Sequence, residues 1–298
     1  MRFLATALCA FMVITILHIT PSQAYTIPTD QDSDILTWHS FQAPPLMITQ
    51  GEDQGAGIID GVRDILQQSL NGYTHKDANL PYKRFLLYAE KGMNICTPYL
   101  FKTPKREKFL IFSNPVVIFP GFELIMHKDL YEQFDFAAAI SLKDMFEKRH
   151  LRLATNKIRA YSKVIDPIVK KYDGRGLVSR HTGSTTLVFR LLTTHRADFM
   201  IDFPNRVLYW AKELGVDPYD YVTIPIKEDY INATSYVACP KTKWGQKVID
   251  QVNNSLAQNV AKKIYGDVLK RWSHDYHQDE LDELHDKLVE LHKKGPQY

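Results

Sequence analysis

The stretch from Lys91 to Pro115 constrains the fold of this chain most, because it joins two apolar runs through a polar link. The first run, Met93–Leu100, has the length and composition of a buried strand. The link contains one arginine, Arg106, and leads to a second run, Phe109–Phe112. An arginine beyond the carboxyl end of a strand lies where open α/β sheets bind ligands, and a guanidinium holds a carboxylate through two parallel hydrogen bonds. On this chemistry alone the favoured interpretation is an exposed loop arginine in a surface ion pair, and an anion site in an α/β fold is the alternative.

Length, charge and motif content narrow the classes of function. The chain has 298 residues, 45% of them hydrophobic, which is enough for one large domain or for two lobes. Its net charge of +3 is far from the basic excess of a nucleic-acid-binding protein. The sequence has no P-loop, dinucleotide fingerprint or nucleophile elbow, and its histidines lack metal-site spacing. We therefore expect no nucleic-acid partner, no cofactor and no metal.

The first 24 residues have the pattern of a secretory signal peptide. Arg2 supplies a positive start, residues 3–19 are apolar, and small residues precede a cleavage point after Ala24. An uncleaved membrane anchor is the alternative. No cysteine suited to acylation follows the apolar run, and no later segment is long and apolar enough to span a bilayer. The mature chain is therefore expected to be soluble and exported.

Seven residues of the polar link and the second run form the pattern Thr-Pro-x-Arg-Glu followed by Phe-Ser-x-Pro. They are Thr103, Pro104, Arg106, Glu107, Phe112, Ser113 and Pro115. The pattern resembles the signature of periplasmic solute-binding proteins of family 3, the polar amino-acid binders. This resemblance implies an α/β fold of the two-lobed type II periplasmic-binding kind, with a mixed sheet flanked by helices in each lobe. It divides the chain into lobe 1 at 25–118 and 227–298, and lobe 2 at 119–226.

The same resemblance implies one charged ligand-binding side chain on each lobe. Arg106 matches the arginine that holds a ligand's α-carboxylate, and Asp202 matches the carboxylate that pairs with the ligand's α-amino group. We expect the two side chains to face each other across a cleft, where a zwitterion would complement both. Because Asp202 lies just before Pro204 and a helical pattern, capping that helix is its alternative role.

Further ligand contacts are expected from residues at matching positions in both lobes. They are Ser40, Phe41, Tyr99 and Phe101 on lobe 1, and Tyr161, Ser162 and Arg159 on lobe 2. The lobe 2 residues lie near the start of a predicted helix, whose N-terminus attracts anions; for Arg159 a solvated loop is the alternative. Aromatic residues stand where many relatives carry serine, which favours a ligand with a planar or apolar portion.

Two cysteines remain in the mature chain, Cys96 and Cys239. An even number in an oxidising compartment permits one disulfide. The resemblance places the strand that returns to lobe 1 antiparallel to the strand of Cys96, within disulfide range. We therefore predict a Cys96–Cys239 disulfide, with two separate buried thiols as the alternative.

The predicted function is capture of a small carboxylate or zwitterion, with a membrane permease of the ABC type as the implied partner. One alternative is a periplasmic enzyme of the dehydratase or hydrolase kind on the same scaffold, for which His39 and Glu107 are the candidate groups. Another is a sensory binding protein that docks onto a membrane receptor. Leucines 281, 284, 288 and 291 form a stripe of under two heptads, so we expect packing on lobe 1 and a monomer rather than a coiled-coil dimer.

Overall fold

The computed structural model describes residues 27–134, 138–157, 159–229 and 231–293. The signal peptide predicted at 1–24 lies outside the described residues. The strands are β1 (Ile35–Ser40), β2 (Thr74–Asn79), β3 (Ile95–Leu100), β4 (Leu110–Phe119), β5 (Glu123–His127), β6 (Leu153–Asn156), β7 (Val178–His181), β8 (Phe199–Asp202), β9 (Tyr221–Pro225) and β10 (Ala233–Pro240). Within the described ranges, no helix combines the length and the apolar composition needed to cross a membrane.

The helices alternate with these strands through most of the chain. They are α1 (Ile58–Ser69), α2 (Tyr82–Glu90), α3 (Lys128–Gln133), α4 (Leu142–Glu147), α5 (Ile165–Tyr172), α6 (Thr185–Thr193), α7 (Arg206–Leu214), α8 (Lys243–Asn259), α9 (Lys263–Leu269) and α10 (Gln278–Lys293). Short 3-10 helices cover Arg106–Lys108, Pro218–Asp220 and Asp275–His277.

The strands form two five-stranded mixed sheets, in the orders β2-β1-β3-β10-β4 and β7-β6-β8-β5-β9. In the first sheet β10 is antiparallel to both neighbours, while β1 is parallel to β2 and β3. In the second sheet β5 is antiparallel to β8 and β9, and β6 is parallel to its neighbours. The predicted α/β architecture of two mixed sheets flanked by helices is confirmed. We call the first sheet with its helices lobe 1 and the second lobe 2; the residue boundaries given above stay a prediction.

Helices on the faces of the first sheet build the core of lobe 1. Trp38, Trp244 and Tyr265 are fully buried there together with the apolar face of α1. The leucine stripe of α10 joins the same core, because Leu281, Leu284 and Leu288 are all buried in it. The stripe therefore packs within the chain, as expected from its short length.

Strand β4 differs from the sequence prediction, which ended the second apolar run before Pro115. The strand continues through Pro115 to Phe119, with an irregular register opposite Tyr236. Because β4 is the last strand of its sheet, the missing N–H of a proline is tolerated there. This continuation carries Phe119 to the point where the chain enters lobe 2.

The two lobes contact each other outside the strand crossings as well. Trp272, which follows α9, donates its indole N–H to the carbonyl of Ala56 at 2.9 Å, and its ring lies 5.3 Å from the ring of Tyr209 in α7. Lys212 of α7 pairs with Asp53 of lobe 1, with Nζ 2.5 Å from Oδ1. These contacts fix the relative placement of the lobes around the candidate site.

Candidate ligand-binding site between the lobes

A continuous row of aromatic rings runs from lobe 1 to lobe 2. In order, its members are Phe101, Tyr99, Phe119, Phe203, Phe122 and Tyr161, with successive ring centroids 5.3, 5.9, 6.4, 4.5 and 5.4 Å apart. Distances of this size are typical of interacting aromatic pairs. Phe119 ends β4 and Phe203 follows β8, so the row passes through the junction of the lobes. The row gives the space between the lobes an apolar wall.

Charged groups of both lobes act on Tyr99, the partly buried penultimate residue of β3. Burial raises the pKa of the Tyr99 hydroxyl to about 12, while the positive charges of Arg206, Arg159 and Arg106 lower it and the negative charge of Asp202 raises it. Arg106 belongs to lobe 1 and the other three to lobe 2.

Asp202 ends β8, and its side chain is only 1% exposed. Its Oδ1 accepts a hydrogen bond from Nη2 of Arg159 at 2.7 Å and lies 3.2 Å from Nε of Arg206. The backbone N–H of Phe203 donates to the same oxygen at 2.9 Å. Asn205, and not Asp202, occupies the N-cap position of α7, and the Asn205 side chain makes no capping hydrogen bond. The charge of Asp202 is balanced within lobe 2 by two arginines.

Arg106 begins a short 3-10 helix in the loop that joins β3 to β4. One of its terminal amines, Nη1, donates to the carbonyl of Phe101, and its guanidinium carbon lies 5.5 Å from the centre of the Tyr82 ring. Burial raises the pKa of the Tyr82 hydroxyl. A guanidinium carries five N–H donors, so these contacts orient Arg106 and leave it able to bind an anion.

The other predicted contacts on lobe 1 divide into two groups. Phe41 lies with Tyr82 near Arg106, with ring centroids 6.3 Å apart. Ser40, 5% exposed at the end of β1, lines a separate cavity of about 210 Å³ together with Arg63 and Asp77. The cavity of Ser40 contains none of the three arginines that act on Tyr99.

On lobe 2, Tyr161 and Ser162 have different surroundings. The Tyr161 hydroxyl lies 2.6 Å from Oγ1 of Thr155, and burial raises its pKa to about 12. The Ser162 hydroxyl accepts hydrogen bonds from the backbone N–H groups of Val164 and Ile165, at 3.2 and 3.0 Å. Ser162 thus stabilises the start of α5, while Tyr161 ends the aromatic row.

Arg159 borders the open space at the strand ends of lobe 2. A cavity of about 350 Å³ is lined by Asn156, Arg159, Ala160 and Thr185. Thr185 is the first residue of α6, so the N-terminus of that helix adjoins the guanidinium. A larger cavity, about 880 Å³, lies elsewhere on lobe 1 along β4 and α8.

The two groups considered for an enzyme take part in structural contacts. His39 is fully buried, its Nε2 donates to the carbonyl of Leu80 at 2.9 Å, and burial lowers its pKa to about 4. Glu107 pairs with Lys102 at 3.2 Å, and both side chains are more than 40% exposed. Neither group lies among the charges around Tyr99.

Cys96 and Cys239 form the predicted disulfide, which joins β3 to the antiparallel strand β10. Both residues are fully buried, and their Cα atoms are 4.3 Å apart. The link holds the strand that presents Tyr99 against the strand that returns from lobe 2.

Sequence reasoning missed Arg206 and three rings of the aromatic row, Phe119, Phe122 and Phe203. A signal for Arg206 was present, because it lies four residues after Asp202 at the start of a helical pattern, and opposite charges at that spacing interact. The three phenylalanines flank the lobe crossings and carry no motif of their own. Their proximity depends on the packing of the two sheets.

No family model matches this chain, and no curated protein matches it. The chain is similar to the probable amino-acid ABC transporter extracellular-binding protein YtmK from Bacillus subtilis, at 17% identity over 81% of this chain and 98% of that one, with a TM-score of 0.62. It is similar to a polar amino acid ABC uptake transporter substrate-binding protein from Streptococcus thermophilus, at 13% identity over 89% and 93%, with a TM-score of 0.61. It is also similar to the periplasmic VFT2 domain of Bordetella pertussis BvgS, at 16% identity over 81% and 95%, with a TM-score of 0.55.

At these identities the likeness establishes the fold. The chain has the two-lobed type II periplasmic-binding-protein fold, and the resemblance to solute-binding proteins predicted from the sequence is confirmed at that level.

Proposed function

We propose that this chain is an exported solute-binding protein that captures a small carboxylate or zwitterion between its lobes. The observation that carries the proposal is an aromatic row with an arginine at each end: Arg106 donates to the carbonyl of Phe101 on lobe 1, and Arg159 lies over the rings of Phe122 and Tyr161 on lobe 2. A ligand held there would contact lobe 1 through Arg106 and lobe 2 through Arg159. Hinge closure of two lobes around such a ligand is a general mode of capture.

The predicted site residues receive roles in this proposal. Arg106 holds a carboxylate, because a guanidinium binds two carboxylate oxygens at once. Tyr99, Phe101, Phe41 and Tyr161 cover the less polar part of the ligand, while Ser40 and Ser162 support the surrounding strand and helix ends. If the ligand carries an amino group, Asp202 receives it.

Binding without turnover is the second part of the proposal. Two of the solved structures described above are binding proteins of ABC transporters, which favours delivery to a membrane permease. The candidate catalytic groups are engaged in structural contacts, His39 with the carbonyl of Leu80 and Glu107 with Lys102. Cleavage after Ala24, release into the periplasm and action as a monomer complete the proposed function.

A thermal-shift screen over carboxylates, amino acids and short peptides tests this function. A ligand that binds only the folded protein raises its apparent stability with concentration. We expect at least one carboxylate to raise the melting temperature, and Arg106→Gln to abolish the shift. Arg84→Gln on the exposed side of α2 is the matched control and should keep it. Absence of any carboxylate shift, or a full shift with Arg106→Gln, would contradict the proposal.

A further inference from the structure

We propose that the interlobe site selects ligands with two negative groups, namely dicarboxylates with an apolar body, over monocarboxylates and zwitterions. The inference rests on the proposed capture function and specifies its ligand class. It starts from the charges around Tyr99 and from the contacts that Asp202 already makes.

The charges around Tyr99 do not cancel. On lobe 2, Arg159 and Arg206 both pair with the single carboxylate of Asp202, and on lobe 1 Arg106 donates to the uncharged carbonyl of Phe101. These four side chains carry three positive charges and one negative charge. The side chains of Arg159 and Arg206 are only 22% and 15% exposed, so water compensates them poorly. Uncompensated charge in such surroundings is costly. A ligand with two carboxylates neutralises the remaining two positive charges. A zwitterion has no net charge and leaves the net charge of the site unchanged.

The contacts of Asp202 disfavour an ammonium group. Its Oδ1 already accepts from Arg159 at 2.7 Å, lies 3.2 Å from Arg206 and accepts the Phe203 N–H. An ammonium that approached this oxygen would displace a guanidinium or lie beside two of them. Like charges at short range repel, so Oδ1 of Asp202 is better suited to hold the two arginines in place than to receive a ligand amine.

Two of the three arginines, Arg106 and Arg159, mark one carboxylate position on each lobe. On lobe 1, Arg106 is oriented by the carbonyl of Phe101 and lies near the ring of Tyr82. On lobe 2, Arg159 shares a cavity of about 350 Å³ with Thr185, the first residue of α6. Helix α6 has nine residues, and its N-terminus adds partial positive charge beside that guanidinium. One carboxylate at each position would join the lobes through the ligand.

The aromatic row runs from the Arg106 position on lobe 1 to the Arg159 position on lobe 2. Phe119 and Phe203, 6.4 Å apart at the lobe junction, continue the row that starts at Tyr99. Aromatic walls favour hydrocarbon over polar groups. The portion of the ligand between the two carboxylates is therefore aliphatic or aromatic.

Isothermal titration calorimetry on the mature protein tests the selection. The probes are succinate, glutarate and terephthalate, each against the monocarboxylate with the same carbon count, butanoate, pentanoate and 4-methylbenzoate. The α-amino acids 2-aminobutanoate and norvaline serve as matched zwitterions. We expect at least one dicarboxylate to bind tenfold or more tightly than its matched monocarboxylate and zwitterion.

A substitution on lobe 2 tests the second carboxylate position. Arg159→Gln should weaken dicarboxylate binding by a larger factor than monocarboxylate binding and so remove the preference for the dicarboxylate. Arg152→Gln is the control, because Arg152 pairs with Asp198 in the same lobe and its side chain is 49% exposed. The comparison of probes on the wild-type protein decides the question even if Arg159→Gln does not fold.

The outcomes separate this inference from the function on which it rests. Equal or tighter binding of a monocarboxylate or a zwitterion overturns the selection for two negative groups and leaves carboxylate capture intact. Binding of none of the carboxylates and zwitterions, here and in the thermal-shift screen, overturns both. A dicarboxylate preference that persists unchanged in Arg159→Gln overturns the assigned position of the second carboxylate.

Discussion

Arg159 donates to Asp202 at 2.7 Å across 43 residues of sequence, and this ion pair holds the Arg159 guanidinium at the strand ends of lobe 2. Arg206 approaches the same carboxylate oxygen from the first turn of α7. The carboxylate is thus held between two guanidinium groups at the end of β8. Its removal would leave both positive charges without their partner.

Asp202→Asn should therefore destabilise the fold. Breaking one partner of a buried ion pair is strongly unfavourable, and we expect a loss of about 3 kcal/mol in the free energy of unfolding. Chemical denaturation followed by circular dichroism measures the change. Asp267→Asn is the control, because its pair with Lys263 is exposed on α9 and should contribute little. If Asp202→Asn unfolds at the same denaturant concentration as the wild type, the ion pair of Asp202 with Arg159 does not stabilise lobe 2.

The disulfide gives a second prediction. Alkylation of the denatured, unreduced mature protein should label neither Cys96 nor Cys239, and peptide mapping should recover the two as one linked pair. Replacing both with serine should lower the free energy of unfolding by about 2 to 4 kcal/mol, because the bond constrains a long stretch of the unfolded chain. Labelling of both thiols without reductant would contradict the bond between β3 and β10.

His39 predicts the direction of a pH dependence. Burial lowers its pKa from 6.5 to about 4, and its neighbours Phe85, Phe41 and Thr97 carry no charge. Between these values the unfolded chain binds more protons than the folded chain, so stability present above pH 6.5 is lost as the pH falls to about 4. The shift corresponds to roughly 3 kcal/mol.

The measurement compares His39→Asn with the wild type by denaturation at several pH values. Burial also lowers the pKa values of His274 and His292. The variant should therefore reduce the slope of the unfolding free energy against pH without abolishing it. An identical slope in His39→Asn and wild type would show that His39 does not titrate as its burial implies.

Part of the fold was predictable because a strand in the interior of a sheet forms an apolar run in the sequence. The apolar run Met93–Leu100 identified β3 directly, because that strand lies inside its sheet. Strands β2 and β7 escaped prediction. Their sequences, Thr-His-Lys-Asp-Ala-Asn and Val-Ser-Arg-His, are largely polar because each lies at the edge of its sheet with little side-chain burial.

The site was predictable only in part. A local motif identified Arg106, and its position after β3 followed from the strand pattern. The pairing of Arg159 with Asp202 joins different strand ends of lobe 2, and such proximity depends on the order of strands in the sheet. A single sequence contains the residues of such a contact but not the distance between them.

Hydrogen–deuterium exchange measures the central claim most directly, because it locates binding without assuming the ligand's orientation. The comparison is made with and without the carboxylate that gives the largest thermal shift. We expect slower exchange in peptides of both lobes, covering 95–109 on lobe 1 and 199–210 on lobe 2. Protection confined to one lobe, or to the cavity along β4 and α8, would contradict ligand capture between the lobes.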